Sequence, residues 1–196
     1  EQHNFTFSYK ISNPALWSVD NPALYKIRFR VFIAARQMDE YETSFGIRSI
    51  SFNKDKGFFL NNKPLKIKGV CMHHDLGALG AAFNKTAAKR QLTILKQMGC
   101  NAIRTAHNPP APQFLDLCDE MGFLVMDEAF DMWHKKKNKF DYSRDFKDRY
   151  KKDLEDMVLR DRNHPSVFMW SIGNEIREQF DSSAVQFTKE LVDIVK

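Results

Sequence analysis

Val167-Phe168-Met169-Trp170-Ser171-Ile172-Gly173-Asn174-Glu175 is the stretch that decides how the rest of the chain is read. Its apolar, β-branched and aromatic run predicts a buried strand of a parallel sheet. Pro165 stands just before it, where a proline can open a strand but not continue one. The run stops at Gly173, and an amide and a carboxylate follow at once. The C-terminal ends of buried parallel strands are where α/β barrels keep their catalytic groups. Low dielectric on one side of Glu175 would raise its pKa, which suits a general acid. The competing reading makes Glu175 a first-turn acid of the next helix, favoured there by the helix dipole. This stretch alone leaves both open.

Upstream, the same unit recurs. Ile67–Cys71 is a predicted strand, and Thr86 to Met98 is an amphipathic helix ending at Gly99. Asn101–Arg104 is a second strand, with a helix from about Pro112 to Met121 stopped by Gly122. Phe123–Met126 is a third, followed by a charged helix from Arg144 to Arg160. Val167–Trp170 is the fourth, with Ser182 to Lys196 as its helix. Such alternation predicts a parallel sheet with helices outside. No G-x-G-x-x-G follows the first strand, as a nucleotide-binding fold would require. Instead polar groups follow every strand: His73-His74-Asp75, Arg104-Thr105-Ala106-His107-Asn108, Asp127-Glu128 and Asn174-Glu175. Four such loops on one edge fit the active face of a barrel.

Residues 1–52 have a different character. Phe5-Thr6-Phe7, Tyr25–Ile33 and Tyr41–Ile50 alternate apolar and polar side chains, with Asn13-Pro14 and Asn21-Pro22 as turns, the composition of a β-sandwich. Phe58–Leu65 is a short hairpin turning at Asn61-Asn62-Lys63. The fold class is therefore α/β with an all-β segment, divided at residues 1–52 and 53–196.

Hydrophobic content of 43% with 17 Phe supplies a sizeable core and argues against disorder. The net charge of +5 is concentrated partly in Lys135-Lys136-Lys137-Asn138-Lys139, which reads as a solvated loop rather than a nucleic-acid surface. No apolar stretch approaches the ~20 residues of a membrane span, so no membrane partner is expected. Cys71, Cys100 and Cys118 lack C-x-x-C spacing and read as buried free thiols. Glu1–Phe5 lacks a signal-peptide pattern, and Leu191–Lys196 is still helical in pattern. Both features fit a piece of a longer protein, and an exported parent, periplasmic or secreted, would carry its signal upstream.

The polar strand ends suit a neutral, hydroxyl-rich ligand. Glycoside hydrolysis with retention needs two carboxyl groups about 5–5.5 Å apart. Glu175 can supply one, while Asp127-Glu128 either supply the other or pair with Arg104 as structural ions. His73, His74, Asp75, His107, Asp127, Glu128 and His134 are potential metal ligands, but none has H-E-x-x-H spacing. Trp170 sits inside a strand and reads as packed, whereas Trp133, in a loop, is the better sugar-stacking platform.

Arg160-Asp161-Arg162-Asn163-His164-Pro165-Ser166-Val167, running into Trp170–Glu175, closely resembles the signature of glycoside hydrolase family 2. So do Gly46-Ile47-Arg48, Lys68-Gly69-Val70, Asn101–Pro109 and Val125-Met126-Asp127-Glu128-Ala129, in the family's order. His73–Gly77 is similar to bacterial β-galactosidase-like members. The resemblance implies a retaining exo-glycosidase with an immunoglobulin-like sandwich and a (β/α)8 TIM barrel. Residues 1–52 would be the later part of the sandwich and 53–196 the first four βα units. By motif, Glu175 corresponds to the general acid/base and Asn174 to the residue bonding the sugar 2-hydroxyl. Arg104 and His107 correspond to sugar-subsite residues, with His73 and Asp127 as weaker matches. The family's nucleophile lies at the seventh barrel strand, so its absence predicts an inactive chain that associates through its open half-barrel into homo-oligomers. Where metal-binding members carry Glu-x-His, this chain has Met132-Trp133-His134, which argues against magnesium and predicts no metal site. β-Galactosides are the expected carbohydrate substrate. β-Glucuronidase, β-mannosidase and a non-catalytic carbohydrate-binding module are the alternatives.

Overall fold

The computed structural model describes residues 5–182 and 184–196; residues 1–4 of the expected first domain and position 183 of the last helix lie outside it. Four parallel strands, β6 (Gly69–His73), β7 (Ala102–Ala106), β8 (Leu124–Glu128) and β9 (Val167–Ser171), lie side by side in chain order. Between and after them run α1 (Lys85–Gln97), α2 (Pro112–Met121), α3 (Ser143–Asp161) and α4 (Ala184–Val195). The strand-helix alternation is as expected, with element ends shifted by at most two residues. Asn84 caps α1 by accepting from the Ala87 amide, and Pro112 opens α2 where a missing N–H costs nothing.

Burial is divided among three apolar clusters. Ala88 and Leu92 of α1 and Phe114, Leu115 and Cys118 of α2 pack on Ile103 and Val125 of the sheet. Trp17, Val19, Phe58 and Leu60 close the end where the strands begin, against Ala102, Leu124 and Phe168. A third cluster joins Ala129, Phe130 and Trp133 to Phe146, Leu154, Met157 and Leu191.

The all-β part comprises two small sheets. Hairpin β1 (Tyr25–Ile33) and β2 (Arg36–Phe45) is antiparallel. A second sheet comprises β3 (Ile50–Asn53), β4 (Gly57–Leu60) and β5 (Lys63–Pro64), and so straddles the expected boundary at residue 53. Phe5–Phe7 is irregular and exposed rather than a strand, because no ladder partner lies beside it among the described residues. The alternation in β1 is real, but Ile27, Phe29 and Val31 are exposed, since nothing among the described residues covers that face. Cys118 alone is the expected buried thiol; Cys100 is half-buried, and Cys71 is exposed on the uncovered face of β6. Among the described residues, no helix is long and apolar enough to cross a membrane.

Three side chains fix the early segment to the start of β9 and the end of α2. Arg48 donates to the carbonyls of Pro165 and Val167, and a Cβ on Gly46 would lie 2.7 Å from Pro165. Trp17 Nε1 donates to the Asp119 carbonyl at 2.9 Å, and Lys96 Nζ bridges the carbonyls of Val19 and Gly122. Gly122 ends α2 at φ +72°, and an added Cβ would lie 2.4 Å from the Val19 carbonyl oxygen. Gly99 has φ +85° but open space around it. Gly99→Ala is therefore expected to cost about 1–2 kcal/mol from the left-handed backbone alone. Gly122→Ala should cost a further ~1–3 kcal/mol from overpacking. Urea midpoints measure both, and equal losses would show that the Val19 approach is not tight.

Candidate active site

Strand register sorts the polar residues. Arg104 pairs with Cys71 and Met126, and Glu128 with Ser171. Side chains alternate along each strand, so Arg104, Glu128 and Ser171 share one face. Ile103, Thr105, Val125 and Asp127 point to the helices.

Glu128 is the hub of the first face. It is fully buried, and both of its oxygens are taken. Arg104 donates to Oε2 through Nε at 2.9 Å and Nη2 at 2.7 Å, and Ser171 Oγ donates to the same oxygen at 2.7 Å. His107 Nδ1 lies 2.7 Å from Oε1, and the His73 ring meets His107 edge-on at 5.0 Å between centroids. A buried carboxylate tolerates its site only with such partners. The bond to Glu128 in turn raises the pKa of the Arg104 guanidinium, against burial.

Asn174 extends this network. Its Oδ1 accepts from Arg104 Nη2 at 2.7 Å, and its Nδ2 donates to Asp131 Oδ1 at 2.9 Å. Burial pulls Asp131 upward, but bonds from Lys137 and Asn174 outweigh it and leave the carboxyl below its usual range. Ile172 and Gly173 are held from the same side: Trp133 Nε1 donates to the Ile172 carbonyl at 2.7 Å, and a Cβ on Gly173 would lie 2.8 Å from that nitrogen. Glu175 follows with φ +42°, a left-handed conformation rare for a side-chain-bearing residue and concentrated at functional sites. Its carboxylate is exposed, so the expected low-dielectric flank is absent here.

The structure thus brings together Asn174, Arg104, His107 and His73, with Glu175 beginning just past them. Two expected residues fall elsewhere. Trp133 is buried, its ring edge-on to Phe187 and its indole N–H spent on a backbone carbonyl, so it is packed and not a platform. Asp127 faces α3, because the residue next to an inward Glu128 must point outward. Ser171, Asp131 and Lys137 were not anticipated. Parity with Glu128 could have flagged Ser171; an aspartate in a loop and one lysine in a run carry no such signal.

The loop after β8 does not fit a divalent cation. Met132 and Trp133 are buried and apolar, and the exposed His134 lies edge-on to the rings of Phe146, Tyr150 and Phe187. Lys137 already holds Asp131 Oδ1 at 2.8 Å. Asp116, Asp119 and His164 do cluster, on the helix side, where His164 Nδ1 lies 2.6 Å from Asp119 Oδ2.

Asp127 is fully buried beside Asp161, which is itself bound by Arg160 at 2.6 and 2.7 Å. Burial first, then the charge of Asp161, pushes Asp127 up to about 8. An unfolded aspartate titrates near ~3.9. Between these values the folded chain holds a proton that the unfolded chain has released, so stability falls as pH rises through that window. Asp127→Asn should remove this part of the slope. Urea midpoints at pH 4.5, 6 and 8 check it, and parallel slopes for both chains would refute the shift.

Comparison with known proteins agrees along the whole chain. Residues 52–196 match the family model "Glycosyl hydrolases family 2, TIM barrel domain", and residues 1–48 match "Glycosyl hydrolases family 2". Beta-galactosidase BoGH2A of Bacteroides ovatus is 55% identical over 192 residues, 97% of this chain and 23% of that protein. A beta-glucuronidase of Streptococcus agalactiae is 34% identical over 95% of the chain and 33% of its own length. A glycosyl hydrolase family 2 member from Bacteroides cellulosilyticus superposes with TM-score 0.88 at 48% identity, covering 93% of this chain and 24% of that one. The chain spans about a quarter of the length of such relatives.

Proposed function

Because this chain belongs to glycosyl hydrolases family 2, as part of a TIM-barrel hydrolase acting on carbohydrate, we propose that it is a fragment of a retaining exo-β-galactosidase with Glu175 as general acid/base. The observation that carries the reading is the position of Glu175: an exposed carboxylate just beyond β9, beside Asn174 and a network that has engaged Glu128 completely. In the proposed reaction Glu175 protonates the leaving oxygen, then deprotonates the water that releases the sugar. Asn174 bonds the 2-hydroxyl, and Arg104, His107 and His73 line the sugar subsite. Both oxygens of Glu128 are engaged, Oε2 by Arg104 and Ser171 and Oε1 by His107, and in this reading it holds Arg104 and His107 in place. The nucleophile is supplied outside this chain.

In the same reading residues 1–52 are the later part of an immunoglobulin-like sandwich, and 53–196 the first half of the barrel. The bare face of β1 and the open edge of β9 then expose the isolated chain to self-association, and light scattering should find dimers or larger species. A sharp monomer over a wide concentration range would count against that. β-Glucuronide specificity is the second reading, favoured by the relative from Streptococcus agalactiae.

The test is hydrolysis of nitrophenyl β-galactoside, β-glucuronide and β-mannoside by this chain and by its full-length parent, after circular dichroism confirms both are folded. Turnover of the galactoside by the parent alone is expected, with Glu175→Gln lowering it by about 10²–10⁴-fold. Activity in the short chain would place the nucleophile within it. Sugar binding without turnover by either would favour a non-catalytic module.

A further inference from the structure

The ammonium of Lys137 has three N–H donors, and each meets an oxygen. They reach the Asp131 carbonyl at 2.7 Å, Asp131 Oδ1 at 2.8 Å and the Asn174 carbonyl at 2.7 Å. The side chain is 17% exposed, so this member of the lysine run is not a solvated surface charge. Its own backbone N–H donates to Asp141 Oδ2 at 2.6 Å, which anchors the loop it comes from. Asp131 Oδ1 accepts from both Lys137 and the Asn174 amide, closing a small ring.

The Asn174 carbonyl belongs to the peptide bond whose nitrogen is that of Glu175. A cation fixed on that oxygen sets the plane of the Asn174–Glu175 peptide, and with it the direction in which the left-handed Glu175 leaves the backbone. On either side the chain is pinned as well: Trp133 holds the Ile172 carbonyl, and Glu178 Oε1 accepts from the Lys135 amide at 2.6 Å. The loop after β8 therefore grips the segment after β9 at three successive places, with Glu175 between the last two.

We propose that Lys137, with Asp131, is a positioning pair for Glu175: it aims the acid/base carboxylate without touching substrate. This rests on the assignment of Glu175 given above. Misaimed by an ångström, a general acid loses much of its contribution while binding survives.

The full-length parent is assayed as wild type, Lys137→Met, Lys137→Arg and Lys136→Met, the last an exposed neighbour in the same run. Two β-galactosides are compared, one with a 2,4-dinitrophenyl aglycone that departs unprotonated and one with a methyl aglycone that needs an acid. The readout is the ratio of their kcat/KM values, which is independent of the fraction of enzyme that is folded. Lys137→Met should lower the methyl substrate by about 10–100-fold and the dinitrophenyl substrate by less than about 3-fold. Lys137→Arg, which keeps the charge and is the variant to read if the methionine form is insoluble, should show a smaller loss of the same selective kind. Lys136→Met should leave the ratio unchanged. Equal losses on both substrates overturn the proposal and leave the assignment of Glu175 standing. A wild-type parent inactive on both is assayed with the matching pair of β-glucuronides, read in the same way, and inactivity on all four overturns the assignment and the positioning role together.

Discussion

A carboxylate with no exposure to water must be given partners or it will not stay charged, and Glu128 imposes that requirement on the surrounding barrel strands. Meeting it takes Arg104 from β7, His107 from the loop beyond, and Ser171 from β9. Thr105 completes the arrangement by accepting the Glu128 amide N–H at 3.0 Å. The relative heights of three strands are thereby fixed at their C-terminal ends. Arg104 then has a donor left over, and that donor orders Asn174. The exposed site is a by-product of satisfying a buried charge.

The opposite end of the sheet is held by a separate set of contacts, and these explain why certain short stretches stand out together. Gly46-Ile47-Arg48 and His164-Pro165-Ser166-Val167 are more than a hundred residues apart, yet they form one contact. Arg48 caps the carbonyls that open β9, and Gly46 leaves room for the proline ring. Burial lowers the Arg48 pKa, which is tolerable because a guanidinium stays charged regardless. Beside them Asp119 accepts from the Ser166 amide and from His164. Burial pulls His164 down, but the bond to Asp119 outweighs it and leaves the imidazole raised. One end of the sheet is thus locked, while the other is free to carry chemistry.

Legibility of the sequence followed the range of the interactions. The four strands and their helices were readable because each leaves a local periodicity, closed by Gly99 or Gly122. The carboxylate beyond β9 was readable for the same reason. Which of two adjacent acids faced inward was not, since Asp127 and Glu128 differ only by strand parity, and parity depends on register set by other strands. Trp133 was misplaced because a loop tryptophan reads as exposed until α4 is seen packed against it. Lys137 was hidden inside a charge run whose composition describes its neighbours well and itself badly. The exposure of β1 could not be read at all: alternation reports which face is to be covered, not what covers it.

The order of the sheet has one more consequence. The strands stand β6-β7-β8-β9, as they occur in the chain, and α1 and α2 pack on the sheet beside them. Every hydrogen bond that orients Asn174 comes from residues earlier in the sequence: Arg104, Asp131 and Lys137. During synthesis from the N-terminus, each strand can dock on one already made, with only a single crossover to close. The bonding partners of Asn174 are therefore synthesised before Glu175. The loop that carries Asp131 and Lys137 is completed later, when Glu178 and Phe187 follow to meet Lys135 and Trp133.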